Sequence, residues 1–150
     1  MFRLDDHLVI SPTDLVARMH CDVFARLALA EHAGLLTPPK PEPNATLELA
    51  KKYGEAHERR ILDSLVAEHG RASVVEFGRP KWTRAALETA AAETRAALEA
   101  GAQVVYQGNF FDGDLVGYAD FLIRTGTDPA TGAPIHEPFD TKLSRHVKPS

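Results

Sequence analysis

The chain has 150 residues, a hydrophobic fraction of 44%, a net charge of -4 and one cysteine. This length predicts one domain with a true core. The single cysteine excludes an internal disulfide framework. The acidic balance argues mildly against a protein that coats nucleic acid non-specifically. No stretch is apolar enough to cross a membrane, and no secretory leader follows Met1, so we expect a cytoplasmic protein without a membrane partner.

The amino-terminal part predicts a long amphipathic helix. Ser11 suits an N-cap and Pro12 the first helical position. Gly34 is a plausible end of the helix. Apolar residues recur every four positions and predict a buried stripe. The stripe contains Leu15, Met19, Val23 and Leu27.

A second helix is predicted over roughly 46–69 and ends at Gly70. Spacings of three and four place His57 on its predicted inner stripe, which runs from Leu47 to Leu65. Glu58 is rotated about 100° from His57, so we expect it to face solvent or the helix edge.

The remaining segments predict a small sheet and one further helix. Thr83 can cap an Ala-rich helix that ends at Gly101. After Gly101 the apolar period changes to two, which is typical of strands, and Asp112-Gly113 predicts a hairpin turn. Pro138 predicts that the last strand is bulged or lies at an edge of the sheet. The predicted strands cover 73–77, 103–111, 115–124 and 135–143.

Two carboxylates and a lysine make up the chemically most informative pattern. Asp120 lies on one predicted strand, and Asp140 and Lys142 share a face of the next. If these strands pair, the carboxylates can bind a hard divalent cation through oxygen, and the backbone carbonyl of Thr141 is a further candidate ligand. The ammonium group of Lys142 can orient a water molecule and offset charge in the transition state of phosphodiester hydrolysis.

Simpler interpretations of these residues stay open. Lys142 can serve only as an ion-pair partner for Asp120, because a carboxylate among apolar neighbours needs a partner. His57 can be a satisfied core residue, or it can give an imidazole nitrogen to the metal. A nuclease fold that binds DNA or a protein without cleaving it is a further alternative.

Several short motifs, in this order, resemble the RecB-like nuclease family, a branch of the PD-(D/E)xK phosphodiesterases. They are Ser11-Pro12-Thr13-Asp14-Leu15, Cys21, Ala56-His57-Glu58, Gly117-Tyr118-Ala119-Asp120 and Asp140-Thr141-Lys142-Leu143. The resemblance implies an α/β fold with a restriction-endonuclease-like core, in which helices pack on a small mixed sheet. It also implies that residues 1–150 form the amino-terminal part of a nuclease domain, truncated after the third core strand.

The resemblance also implies a function and its residues. His57, Asp120 and Asp140 match the family's metal-binding positions, and Lys142 matches its catalytic lysine. The implied reaction is Mg²⁺- or Mn²⁺-dependent hydrolysis of DNA, with single-stranded ends as substrate, in DNA repair, recombination or CRISPR-type processing. A helicase, fused or associated, is an implied partner.

Cys21 has two interpretations. In part of the family a cysteine near the amino end joins a carboxyl-terminal cysteine cluster around an iron–sulfur centre, which normally needs four thiolates. This chain supplies one. The composition alone therefore favours a small buried apolar residue at Cys21.

Overall fold

The computed structural model describes residues 1–40 and 42–142, which contain both helices and strands. The described helices are α1 (Pro12–His20), α2 (Asp22–His32), α3 (Ala45–His69) and α4 (Arg84–Glu99). The strands are β1 (Phe2–Leu4), β2 (His7–Val9), β3 (Val74–Glu76), β4 (Val104–Phe111), β5 (Val116–Thr127) and β6 (Pro134–Phe139).

The larger sheet is a small mixed sheet with the order β3-β4-β5-β6. β3 runs parallel to β4, whereas β4, β5 and β6 pair antiparallel in sequence. Within the described residues β6 is the outermost strand, which confirms the edge position that Pro138 predicts. A separate hairpin of β1 and β2, which the sequence analysis did not predict, precedes α1.

Two apolar clusters hold α3 and α4 to these strands. In the first, Leu87 of α4 packs with Val116 of β5 and with the β1–β2 hairpin. In the second, Leu62 of α3 packs with β3, β4 and β5. Leu62 and Phe121 are fully buried, so α3 is fixed on the sheet beside the part of β5 that carries Asp120.

The prediction of one long helix from Ser11 to Gly34 is wrong. Ser11 does cap α1, where its hydroxyl accepts from the backbone N–H of Asp14. Cys21, however, has extended backbone angles (φ -158°, ψ 107°) and divides the segment into α1 and α2. The predicted stripe is also not buried, since Leu15, Met19, Val23 and Leu27 are all exposed.

The prediction for the second helix is correct in extent, and its inner stripe is correct in the carboxyl-terminal part only. α3 ends at Gly70 as expected, but its buried residue is Leu62, and Leu47 is exposed. Ile61, Leu65 and Val66 pack beside Leu62. Within the described residues, the helices lack the combination of length and apolar character that crossing a bilayer requires.

The third helix and the hairpin follow the prediction closely. Thr83 caps α4, and the carboxylate of Asp112 accepts from the backbone N–H groups of Asp114 and Leu115 in the turn between β4 and β5. The last strand is shorter than predicted, because β6 ends at Phe139. Asp140 and Lys142 therefore follow the strand, and Leu143 lies outside the described residues.

Candidate active site

Asp120 and Asp140 meet where β5 and β6 stop pairing. Phe121 is the cross-strand partner of Phe139, so Asp120 and Asp140 occupy the next pair of opposed positions. Their carboxyl groups are in hydrogen-bonding contact with each other. The structure thus brings together the two acids that the sequence analysis placed on neighbouring strands.

The pair has an uneven affinity for protons. Burial, the contact with Asp140 and the charge of Glu58 raise the pKa of Asp120 above its ordinary value. The contact with Lys142 lowers the pKa of Asp140. Two adjacent carboxylates resist double ionisation, and the opposite displacements make Asp120 the more readily protonated of the two.

Lys142 lies beside Asp140. Its ammonium group forms an ion pair with the Asp140 carboxylate, which raises the pKa of Lys142. The side chain remains 77% exposed, so the ammonium group is also accessible to a ligand. The backbone N–H of Thr141 donates to the Asp140 carboxylate as well. The ion-pair partner of Lys142 is therefore Asp140. The simpler interpretation of the sequence paired Lys142 with Asp120 instead.

Glu58 and Gln107 belong to the same group of side chains, although the sequence analysis did not assign them to it. The Gln107 amide nitrogen lies 2.5 Å from Glu58 Oε1 and 3.4 Å from Asp120 Oδ1. The amide thus separates the Glu58 carboxylate from the Asp120–Asp140 pair. Glu58 also lies near Tyr106, and burial followed by the Glu58 charge raises the pKa of Tyr106.

The prediction that Glu58 faces solvent or the helix edge is wrong, because the rotation of α3 on the sheet turns Glu58 toward Gln107. Glu58 precedes Leu62 by one helical turn, so both lie on the side that packs on the sheet. The apolar residues Ile61, Leu62, Leu65 and Val66 follow Glu58 at spacings of three, four, seven and eight. This pattern is the signal that could have placed Glu58 at the sheet. Gln107 gives no comparable signal.

Neither His57 nor Cys21 takes part in the hydrogen bonds and ion pairs of this group. His57 is half-buried on α3. Within residues 1–40 and 42–142, no three His, Cys, Asp or Glu side chains are spaced to hold one metal ion. The metal-ligand roles of His57 and Thr141 therefore stay predictions. Cys21 is exposed, so the expectation of a buried apolar residue is wrong, and the iron–sulfur role stays a prediction.

Comparisons with known proteins assign neither a family nor a function to this chain. No protein-family model, curated protein or solved structure matches this chain. The contacts of Asp120, Asp140 and Lys142 are therefore the features of the chain that point to a function.

Proposed function

We propose that the chain carries the active centre of a metal-dependent DNA nuclease of the RecB-like type. The observation that supports this most directly is the contact between the Asp120 and Asp140 carboxyl groups, with the Lys142 ammonium group on Asp140. The small mixed sheet with helices packed on it is compatible with a restriction-endonuclease-like core. Single-stranded DNA ends are the proposed substrate, and repair, recombination or CRISPR-type processing is the proposed context.

The donor set of the pair suits a hard cation. Two carboxyl groups in contact supply up to four oxygen atoms, which is the ligand type that Mg²⁺ and Mn²⁺ take. A bound cation would polarise a phosphoryl oxygen and help to generate the attacking hydroxide. In the proposed centre Asp120 and Asp140 would hold the cation between their carboxylates, where its charge would offset the repulsion between the two acids.

Lys142 suits a role beside the reacting phosphate. Its ammonium group is held at Asp140, yet its stem is exposed and flexible. From this position the ammonium group can donate to a water molecule or to a phosphate oxygen as negative charge develops. A helicase that delivers single-stranded DNA is the proposed partner.

Metal titration tests the proposal directly. We expect isothermal titration calorimetry to show Mn²⁺ binding to the 150-residue chain, and Asp120→Asn or Asp140→Asn to abolish that binding. Asp114→Asn is the matched control, because Asp114 is an exposed carboxylate on the β4–β5 turn. Lys142→Ala should retain binding but lose cleavage of a labelled single-stranded oligonucleotide. Wild-type protein that takes up no Mn²⁺ would contradict the proposal.

A non-cleaving module is the second candidate, and the exposed apolar residues of α1 and α2 favour it. Met19 is 85% exposed and Val23 is 62% exposed. Exposed apolar patches of this kind are typical of protein–protein contacts. Under this alternative, Lys142→Ala and the wild type should bind single-stranded DNA equally in a fluorescence-anisotropy titration, and neither should cut it.

A further inference from the structure

Gln107 interrupts the pairing of β4 with β5. Tyr106 pairs with Phe121 and Gly108 pairs with Ala119, but Gln107 and Asp120, which lie between them, are not ladder partners. Gln107 has a φ of 55°, in the left-handed region that residues other than glycine seldom adopt. The interruption therefore coincides with the position of Asp120.

The amide of Gln107 contacts two acids at once. Its nitrogen donates to Glu58 and to Asp120, so the orientation of the amide is fixed by two acceptors. Glu58 belongs to α3 and Asp120 to β5. One neutral donor therefore links a helix to the strand that carries the proposed centre.

This arrangement has a cost that packing alone does not explain. The side-chain amide oxygen of Gln107 (Oε1) is buried and has no hydrogen-bond partner among the described residues. A buried acceptor without a partner is unfavourable, and so is a left-handed glutamine. Glycine would fit this backbone without strain, so a structural turn alone gives no reason for a glutamine here.

Without the amide, Asp120 would face unfavourable charges on both sides. Glu58 lies on one side, beyond the Gln107 amide, and Asp140 occupies the opposed position on the other side. A donor between Glu58 and Asp120 offsets this repulsion and restricts the Asp120 side chain. Residues that orient a metal-binding carboxylate in this way contribute strongly to the affinity of a site.

We infer that Gln107 is a positioning residue, whose amide fixes Asp120 between Glu58 and Asp140 in the orientation that the metal centre requires. The inference rests on the proposed function, because the orientation matters only if Asp120 binds a cation. Gln107 itself acts through Asp120 and is not assigned a contact with the cation or the DNA.

Three substitutions at Gln107 distinguish the effect of the amide on Mn²⁺ binding from the effects of the backbone conformation and of side-chain volume. Gln107→Gly removes the side chain and suits the left-handed backbone, whereas Gln107→Met keeps the length of the side chain without a donor. Both should weaken Mn²⁺ binding by about 10- to 100-fold in calorimetric titration, the range typical of residues that orient metal ligands. Gln107→Asn keeps a shorter amide that tolerates left-handed angles, so its affinity should lie between those of the wild type and Gln107→Met.

The outcomes distinguish this inference from the proposed function. Circular dichroism melts establish that each variant is folded at the temperature of the titration. If the wild type binds Mn²⁺ and both Gln107→Gly and Gln107→Met bind within twofold of it, the positioning role is wrong and the proposed function stands. A loss in only one of these two variants also overturns the role, since backbone or volume would then be the cause. A wild type that binds no Mn²⁺ overturns the proposed function, and the positioning role with it.

Discussion

Asp120 and Asp140 have pKa values displaced in opposite directions although their carboxyl groups touch. Burial comes first among the causes that raise the pKa of Asp120, and the Lys142 ammonium group comes first among those that lower the pKa of Asp140. Two like groups in one site thus differ in their affinity for protons, as is common where acids cooperate in binding or catalysis.

The raised pKa predicts that Asp120→Asn stabilises the protein at neutral pH. A carboxyl group whose folded pKa is raised costs stability above that pKa, because the unfolded chain releases its proton more readily. We expect the substitution to add about 0.5–1 kcal/mol to the free energy of unfolding at pH 7.5, within the range for removal of an unfavourable charge. Urea denaturation measures this difference.

The gain should shrink as the pH falls. Once the pH lies below the ordinary pKa of an aspartate, Asp120 is protonated in both folded and unfolded chains and resembles asparagine in charge. Urea denaturation at pH 3.5 should therefore show little difference between the variant and the wild type. Asp114→Asn should change the stability little at either pH. A variant that is less stable than the wild type at pH 7.5 would contradict the raised pKa.

Glu76→Gln is expected to loosen α3 from the sheet. Arg59 of α3 bonds to Glu76 of β3 at 3.1 Å, and Arg71 contacts the same carboxylate. Burial alone would raise the pKa of Glu76, but these two guanidinium groups hold it below its ordinary value. Because both arginines are more than half exposed, we expect a loss of only about 0.5–1 kcal/mol.

The sign of the pH dependence follows from the lowered pKa. The contribution of Glu76 is fully present above its unfolded pKa and is lost as the pH falls through its folded pKa. Denaturation at pH 7 should therefore separate Glu76→Gln from the wild type, and denaturation at pH 2.5 should not. Glu88→Gln, on the exposed side of α4, is the control. An equal loss of stability at both pH values would show that Glu76→Gln acts through packing and not through the charge of Glu76.

The part of the site that depends on strand pattern could be predicted from the sequence. The turn at Asp112-Gly113 predicts the pairing of β4 with β5, and the period of two in the next strand predicts a further partner for β5. The pairing of β5 with β6 is what brings Asp120 near Asp140. The parts that depend on tertiary packing could not be predicted in the same way. The phase of α3 decides where Glu58 lies, and the left-handed backbone of Gln107 has no local signal.

The prediction of one long helix from Ser11 to Gly34 was wrong for a related reason. A spacing of four residues from Leu15 to Leu27 predicts a continuous helix, but it does not report whether any surface covers the stripe. In the described structure the chain turns at Cys21, and these side chains are exposed. An amphipathic pattern therefore established helical structure here without establishing burial.

Gly108→Ala should perturb the strand beside Gln107. A Cβ atom at Gly108 would lie 2.9 Å from the Leu122 side chain and 3.4 Å from that of Thr94. Leu122 is nearly buried, so it cannot simply move into solvent. We expect a loss of about 1–3 kcal/mol in urea denaturation, the usual cost of overpacking.

Gly126→Ala is the matched control for this substitution. A Cβ atom at Gly126 would meet no heavy atom within 4 Å, and its φ is not positive. The free energy of unfolding should therefore change by less than about 0.5 kcal/mol. If both alanine variants were equally stable, close packing at Gly108 would not constrain β4.

Thr94→Val tests the link between α4 and the central strands. The Thr94 hydroxyl is buried, donates to the Ala90 carbonyl at 2.9 Å and accepts from the backbone N–H of Asn109 at 2.9 Å. Valine keeps the shape and leaves the Asn109 N–H without its acceptor, which should cost about 1–3 kcal/mol. Thr94→Ser keeps the hydroxyl and serves as the control. Amide hydrogen exchange at Asn109, followed by NMR, should accelerate in Thr94→Val and remain slow in Thr94→Ser, whereas equal protection in both would show that another group holds this part of β4.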